Sequence, residues 1–301
     1  MEKLDQIGDV LVDQKVPMKQ RNRALYTLKN LGGQVAVKNI ARALEDPSAL
    51  LKHECAYCLG QMQDPSAITS LINVLTNKTE NPMVRHEAGE ALGAIGQYTS
   101  NVKDILREYS TDPLPEVAET CQLALGRLEY LEQQDKLSEK EKLSSNPYHS
   151  VDPAPPDVKQ SVQELKEKLL DENDTLFERY RAMFGLRNNG SDDAVLALCE
   201  GLKCKSALFR HEIAYVLGQI QSKLSVPALI VSLEDVSENN MVRHECAETL
   251  GSIGTTDCVK VLEKFLKDKE TVVRESCEVA LDITEYENNN EFQYADGLLK
   301  V

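Results

Sequence analysis

An all-α solenoid of about eight helical hairpins, in two pseudo-symmetric halves, is the fold this sequence predicts, and three observations predict it. The stretch Lys52 to Gly60 resembles Arg85 to Gly93, and the same frame returns at Arg210 to Gly218 and Arg243 to Gly251, so equivalent positions recur at steps of 33 and 158 residues. A period of that size over apolar-periodic segments marks stacked helical hairpins. Aromatic residues make up only 5% of the chain and Trp is absent, so the core must rest on Leu, Ala, Val and Ile, as in helical stacks. Finally, Asp46-Pro47, Asp64-Pro65, Asn81-Pro82 and Asp112-Pro113 each set a capping side chain before a proline, the signature of a helix start.

In chain order, a degenerate unit around Arg21 to Leu25 precedes the first two full units. In the full units the segment Ala67 to Leu75 continues the hairpin begun at Lys52, and a last unit lies around Glu119 to Gly126. The pattern then stops. From about Gln133 to Asp157 the chain carries charged residues followed by Pro153, Pro155 and Pro156, which cannot bury a helical face and predict a mobile linker holding a solvated His149. The second half repeats the first, from a degenerate unit at Arg179 to Met183 through to Glu275 to Leu281. The expected domains are an N-terminal half over residues 1–132, a flexible linker over 133–157 and a C-terminal half over 158–301. The glycine closing each Leu-Gly pair suits close helix approach or a helix terminus.

A formal charge of −15 disfavours a nucleic-acid binder, whose phosphate contacts need clustered Lys and Arg, and suits a cationic partner. The first residues form no apolar signal segment, and no apolar run approaches a membrane span. The eight cysteines are therefore expected to be reduced thiols, buried as small hydrophobes in a cytoplasmic protein.

Four of the five histidines are followed directly by glutamate, at His53-Glu54, His86-Glu87, His211-Glu212 and His244-Glu245. Imidazole and carboxylate are the ligand types of non-haem iron and related divalent metals. Equivalent positions on adjacent hairpins lie about one helix-packing distance apart, ~8–10 Å, so two imidazoles can reach one metal from neighbouring helices. Each half then offers a 2-His-1-carboxylate set, and two halves facing each other would bring two metals together. The outer units carry Gln20, Glu119, Glu178 and Cys277 at the histidine positions, so the scaffold itself does not require the imidazole.

A zinc site at Cys55 and Cys58 is the competing reading, but the matching residues of the second half are Ile213 and Val216. Which carboxylates bind stays open, because Glu90 and Glu248 lie four residues after His86 and His244, on the same helical face. Tyr57 and Tyr215 hold that position in the other two copies, and Met83 and Met241 precede the histidines by three. Two other function classes fit the same residues: a metal-free interaction solenoid, and a metallohydrolase that activates water.

The four His-Glu motifs, in two tandem pairs on a helical-repeat chain of 301 residues, resemble the deoxyhypusine hydroxylase family, whose repeats are HEAT-like. The resemblance covers both halves and the linker. It implies a monooxygenase with two iron ions and O2 as co-substrate, acting on the deoxyhypusine side chain of eukaryotic translation initiation factor 5A to give hypusine. It also implies that His53, His86 and Glu87 ligate one iron and His211, His244 and Glu245 the other, leaving Glu54 and Glu212 as catalytic residues that bind the cationic substrate. A monomer with no nucleic-acid or membrane partner is expected.

Overall fold

The structure, a computed structural model, describes residues 2–134, 146–158 and 160–288. Met1, residues 135–145 of the expected linker, Lys159 and residues 289–301 of the second half lie outside the described residues. The described chain holds sixteen α-helices and no strand, and none of its helices is long and apolar enough to cross a membrane. It divides into two compact units, with described residues 2–134 in the first and 146–288 in the second.

In the first unit the helices are α1 (Glu2–Val12), α2 (Met18–Leu31), α3 (Gly33–Arg42), α4 (Ala49–Met62), α5 (Ile68–Thr76), α6 (Pro82–Ile95), α7 (Ser100–Tyr109) and α8 (Pro115–Gln134). The second unit repeats them as α9 (Val162–Leu170), α10 (Leu176–Asn189), α11 (Asp192–Gly201), α12 (Ala207–Ile220), α13 (Val226–Glu234), α14 (Asn240–Ile253), α15 (Thr256–Phe265) and α16 (Thr271–Glu287). Each unit is four hairpins whose second helices stack as an inner layer, α2, α4, α6, α8 and α10, α12, α14, α16. The hairpin register differs from the sequence reading: α5, which covers Ile68 to Leu75, pairs with the following α6 and not with the preceding α4. Its face of Leu71, Val74 and Leu75 is buried. Arg85 of α6 donates from Nε to the Leu75 carbonyl at 2.9 Å, tying the two helices.

That tether recurs. Arg21, Arg179 and Arg243 reach the carbonyls of Leu11, Leu169 and Leu233, each near the C-terminus of the outer helix in its own hairpin, at 2.8, 3.0 and 3.0 Å. Three of these guanidinium groups also join the next hairpin: Arg21 pairs with Asp46, Arg85 with Asp112 at 2.6 Å and Arg243 with Asp268 at 2.6 Å. Lys52 with Glu80 and Arg210 with Glu238 fill the same role at the remaining central junctions, at 2.6 and 2.5 Å. Burial alone would raise the Asp112 and Asp268 carboxyls, but hydrogen bonds from Arg85 and Arg243 and from the Leu114 and Glu270 N–H groups hold them below the usual range. Asp46 and Asp112 are thus anchors for arginine. Ser48 caps α4 in place of Asp46, whereas Asn81 caps α6 with Pro82 as its first residue, as the sequence suggested.

The glycines of the Leu-Gly pairs lie inside helices and serve close approach. A Cβ at Gly60 would stand 2.8 Å from Ala91 Cα, and one at Gly251 would stand 2.6 Å from Ala280 Cα. Gln63 and Gln221, 158 residues apart, end α4 and α12 at φ 52° and 55°. Each spends its side chain on the next inner helix, donating to the Ala94 carbonyl at 2.9 Å and the Ser252 carbonyl at 3.0 Å.

Residues 146–157, part of the expected mobile linker, are an ordered strap on the second unit. Asp152 is buried and takes both amino groups of the buried Arg187 at 2.9 and 2.7 Å, with Asn146 and Ser150 completing its hydrogen bonds. Arg187 lies over the rings of Tyr148 and Phe184. The proline-rich end runs close to α10, where the Asp157 N–H donates to the Arg181 carbonyl and the Asp157 carbonyl sits where a Cβ on Gly185 would be, 2.4 Å away. Proline removes backbone donors that would otherwise need partners, which lets such a segment lie buried without regular structure.

Breaking a buried pair strands the surviving charge. Arg243→Met, which leaves Asp268 buried without its guanidinium, is expected to cost about 3–5 kcal/mol in urea unfolding. Arg107→Met, whose partner Asp104 is solvent-exposed, is expected to cost less than about 1 kcal/mol in the same measurement.

Candidate metal centre

Four helices carry the His-Glu motifs, and they are built alike. α4, α6, α12 and α14 are each 14 residues long, and each places its histidine fifth. The phase is set at both ends. Ser48, Asn81, Ser206 and Asn239 cap the N-termini through their side chains, and Gln63, Gly96, Gln221 and Gly254 close the C-termini in the left-handed conformation. All eight His and Glu side chains of the motifs are buried.

In the first unit, α4 and α6 bring the rings of His53 and His86 together, tilted by 44° with centroids 5.5 Å apart. Glu87 Oε2 lies 3.3 Å from His53 Nε2 and 3.8 Å from His86 Nε2. Glu54 points elsewhere: its Oε1 is 3.1 Å from His53 Nδ1, and its Oε2 accepts the Tyr26 hydroxyl at 3.0 Å.

In the second unit, α12 and α14 repeat the arrangement more tightly. His211 Nε2, His244 Nε2 and Glu245 Oε2 form a triangle with sides of 3.3, 3.3 and 3.6 Å. Three facial donors at bond lengths of ~2.1 Å from one cation stand ~3.0–3.4 Å apart, so this trio could take a metal ion with little movement. In the first unit the Glu87 oxygen stands nearly as close to its two imidazoles, at 3.3 and 3.8 Å. Glu212 Oε1 approaches His211 Nδ1 at 3.5 Å, on the far side of the ring from the triangle.

The electrostatics match a site built for positive charge. Burial pulls the His211 imidazole down, but hydrogen bonds and charge from Glu212 and Glu245 overcome it and raise it to about 9. His53 likewise stands well above the ordinary imidazole value, because Glu54 and Glu87 outweigh its burial. Cys55 and Cys58 behave oppositely. Burial pushes both thiols well above their usual range, which keeps them neutral core residues and poor zinc ligands. No cysteine enters the metal-competent groupings among the described residues.

The structure thus brings His53, His86 and Glu87 together in one unit and His211, His244 and Glu245 together in the other, with Glu54 and Glu212 beside them. Met83 and Met241 are buried. Tyr215 accepts a hydrogen bond from Gln219, which also joins Ser150 and Arg187 of the strap network. Sequence reasoning missed Tyr26 as the partner of Glu54. The signal was present in an asymmetry, since the residue 158 positions later is Phe184.

The repeat has a known relative in each half. A model of HEAT repeats matches residues 19–93, 36–126 and 195–282, and one of the PBS lyase HEAT-like repeat matches residues 178–204. Deoxyhypusine hydroxylase of Danio rerio is 60% identical over 295 residues, covering 98% of this chain and 96% of its own. The chain belongs to the deoxyhypusine hydroxylase family. The deoxyhypusine hydroxylases of Mus musculus and Homo sapiens are 58% and 57% identical over 99% of the chain. A solved structure of human deoxyhypusine hydroxylase in complex with glycerol matches with a TM-score of 0.90 at 56% identity, over 95% of this chain and 96% of that one. Membership of the deoxyhypusine hydroxylase family makes the chain a hydroxylating enzyme and sets aside the interaction solenoid.

Replacing Tyr26 by the residue its counterpart carries isolates one contact. Tyr26→Phe, which removes the hydroxyl donated to Glu54, is expected to lower the stability of the metal-free protein by about 1 kcal/mol in urea titration.

Proposed function

We propose that this chain hydroxylates the deoxyhypusine side chain of eukaryotic translation initiation factor 5A, with O2 as co-substrate and two iron ions as cofactor. The observation that carries the reading is the pair of equivalent trios, two Nε2 atoms and one carboxylate oxygen each, within a family of hydroxylases. The donor set of imidazole and carboxylate, with neutral thiols nearby, suits iron. His53, His86 and Glu87 hold one ion and His211, His244 and Glu245 the other. Bound there, iron supplies the redox chemistry that O2 activation requires.

The protein's own residues do the rest. Burial of the histidines excludes bulk water from the donors. Glu54 and Glu212 hold the amines of the extended lysine by charge-assisted hydrogen bonds, and Tyr26 fixes the Glu54 carboxylate for that task. An acidic protein taking a cationic side chain fits the net charge of −15. The eight free cysteines suit a reducing cytoplasm.

Iron quantification and oxygen consumption test this directly. Purified protein is expected to carry two iron ions, and O2 uptake is expected to track formation of a hydroxyl on the substrate side chain. A water-activating metallohydrolase would show no O2 uptake. His86→Ala and Glu245→Ala are expected to lose the iron of their own half and to reduce hydroxylation by more than the ~10–100-fold that removal of a supporting partner costs. Glu54→Ala and Glu212→Ala keep the iron and weaken substrate binding.

The imidazoles also set a pH dependence. A metal ion must displace the protons that raised basicity places on His53 and His211 in the metal-free protein, so binding releases protons. Metal affinity is therefore expected to rise with pH from about 6.5 to about 9, measured by calorimetry in buffers of different ionisation enthalpy.

A further inference from the structure

Glu248 was one of two carboxylates whose place in the site the sequence left open. It lies one turn beyond His244 on α14, and its Oε1 stands 3.7 Å from His244 Nδ1. The opposite ring nitrogen, Nε2, faces His211 Nε2 at 3.3 Å and Glu245 Oε2 at 3.6 Å. The two nitrogens of an imidazole point apart, so an ion seated among the Nε2 atoms and Glu245 cannot also take an oxygen lying at Nδ1 of the same ring. We infer that Glu248 is a positioning residue: its carboxylate, 3.7 Å from Nδ1 of His244, closes on the Nδ1–H when a metal binds at Nε2, fixes the tautomer that leaves the Nε2 lone pair free, and aims the ring. This rests on the metal reading above.

The repeat supports the assignment by an exchange of roles. On α4 and α12 the glutamate directly after the histidine serves Nδ1, Glu54 at 3.1 Å from His53 and Glu212 at 3.5 Å from His211, and the residue four positions on is tyrosine, Tyr57 or Tyr215. On α6 and α14 the glutamate after the histidine turns to the Nε2 side instead, as Glu87 and Glu245 do. There the residue four positions on is a glutamate, Glu90 or Glu248. Glu90 lies with His86 and Glu87 in a group whose donor atoms are all within 4.8 Å of one another. On α14, where the first glutamate is committed to the Nε2 side, a second one stands on the Nδ1 side. By position Glu248 thus stands to His244 as Glu54 stands to His53 and Glu212 to His211, without the substrate-binding task of those two.

Cobalt(II) titration of the full-length metal-free protein, with a competing chelator and the visible spectrum of the bound ion, tests the assignment on Glu248→Ala, Glu248→Gln and Glu245→Ala. Glu248→Ala is expected to bind two equivalents at saturation, with the affinity of one lowered ~10–100-fold. Glu248→Gln, whose amide oxygen still accepts the Nδ1–H, is expected to regain most of that affinity and the wild-type spectrum. Glu245→Ala is expected to lose one equivalent outright. Loss of one equivalent in Glu248→Ala makes Glu248 a ligand and overturns the proposal. Unchanged affinity in Glu248→Ala overturns it as well, as does a Glu248→Gln protein no better than Glu248→Ala. Wild-type protein that binds no cobalt overturns the metal reading itself, a result distinct from all of these.

Discussion

The near-contact of neighbouring inner helices is the constraint on which everything else in each unit depends. Gly60 lets α4 meet Ala91 of α6, and Gly218 lets α12 meet Thr249 of α14, at distances where a methyl group has no room. Helices packed this closely sit at the short end of the interaxial range, ~8 Å. Because both helices of each pair start from a side-chain cap and place histidine fifth, the short spacing delivers two imidazoles to one point, with ring centroids 5.3 or 5.5 Å apart. The glutamine side chains at the ends of α4 and α12 then lock the pairs at their far ends.

Buried charge is handled in two ways, and the contrast marks the function. In the tethers between hairpins each buried guanidinium meets a carboxylate and a main-chain carbonyl, so charge and hydrogen bonding close locally. Around His211 and His244 three carboxylates, Glu212, Glu245 and Glu248, gather on two imidazoles. That cluster has negative charge to spare. Glu212 and Glu245 raise the His211 imidazole to about 9, the direction expected where carboxylates lack the arginine partner that the tethers have.

Much of this was legible in the sequence, for a physical reason. Helical periodicity, cap residues and a fixed repeat are local properties, so the solenoid, the hairpin number and the pairing of His53 with His86 and His211 with His244 follow from counting. What escaped was whatever depends on direction within a side chain or on burial of an irregular segment. Counting places Glu87 and Glu54 alike beside a histidine, yet one faces Nε2 and the other Nδ1. Asp46 and Asp112 carry the sequence mark of a helix cap, but a buried arginine, ten residues beyond the leucine whose carbonyl it holds, claims each of them. The strap reads as a linker because prolines and charges dominate it. Only the meeting of Asp152 with Arg187, distant in sequence, makes its burial favourable.

The glycine contacts change what a loss-of-function mutation in this chain can mean. Gly60 is seven residues from His53, ~10 Å along the helix, and touches no ligand. A methyl group there must push α4 away from Ala91, and the displacement falls on the gap between His53 and Glu87 while every donor atom is still present. Inactivity alone therefore does not distinguish a broken ligand set from a widened one. In a screen of random variants, the small residues that line the inner layer form a second class of inactivating positions, one that a catalogue of histidines and glutamates would leave out.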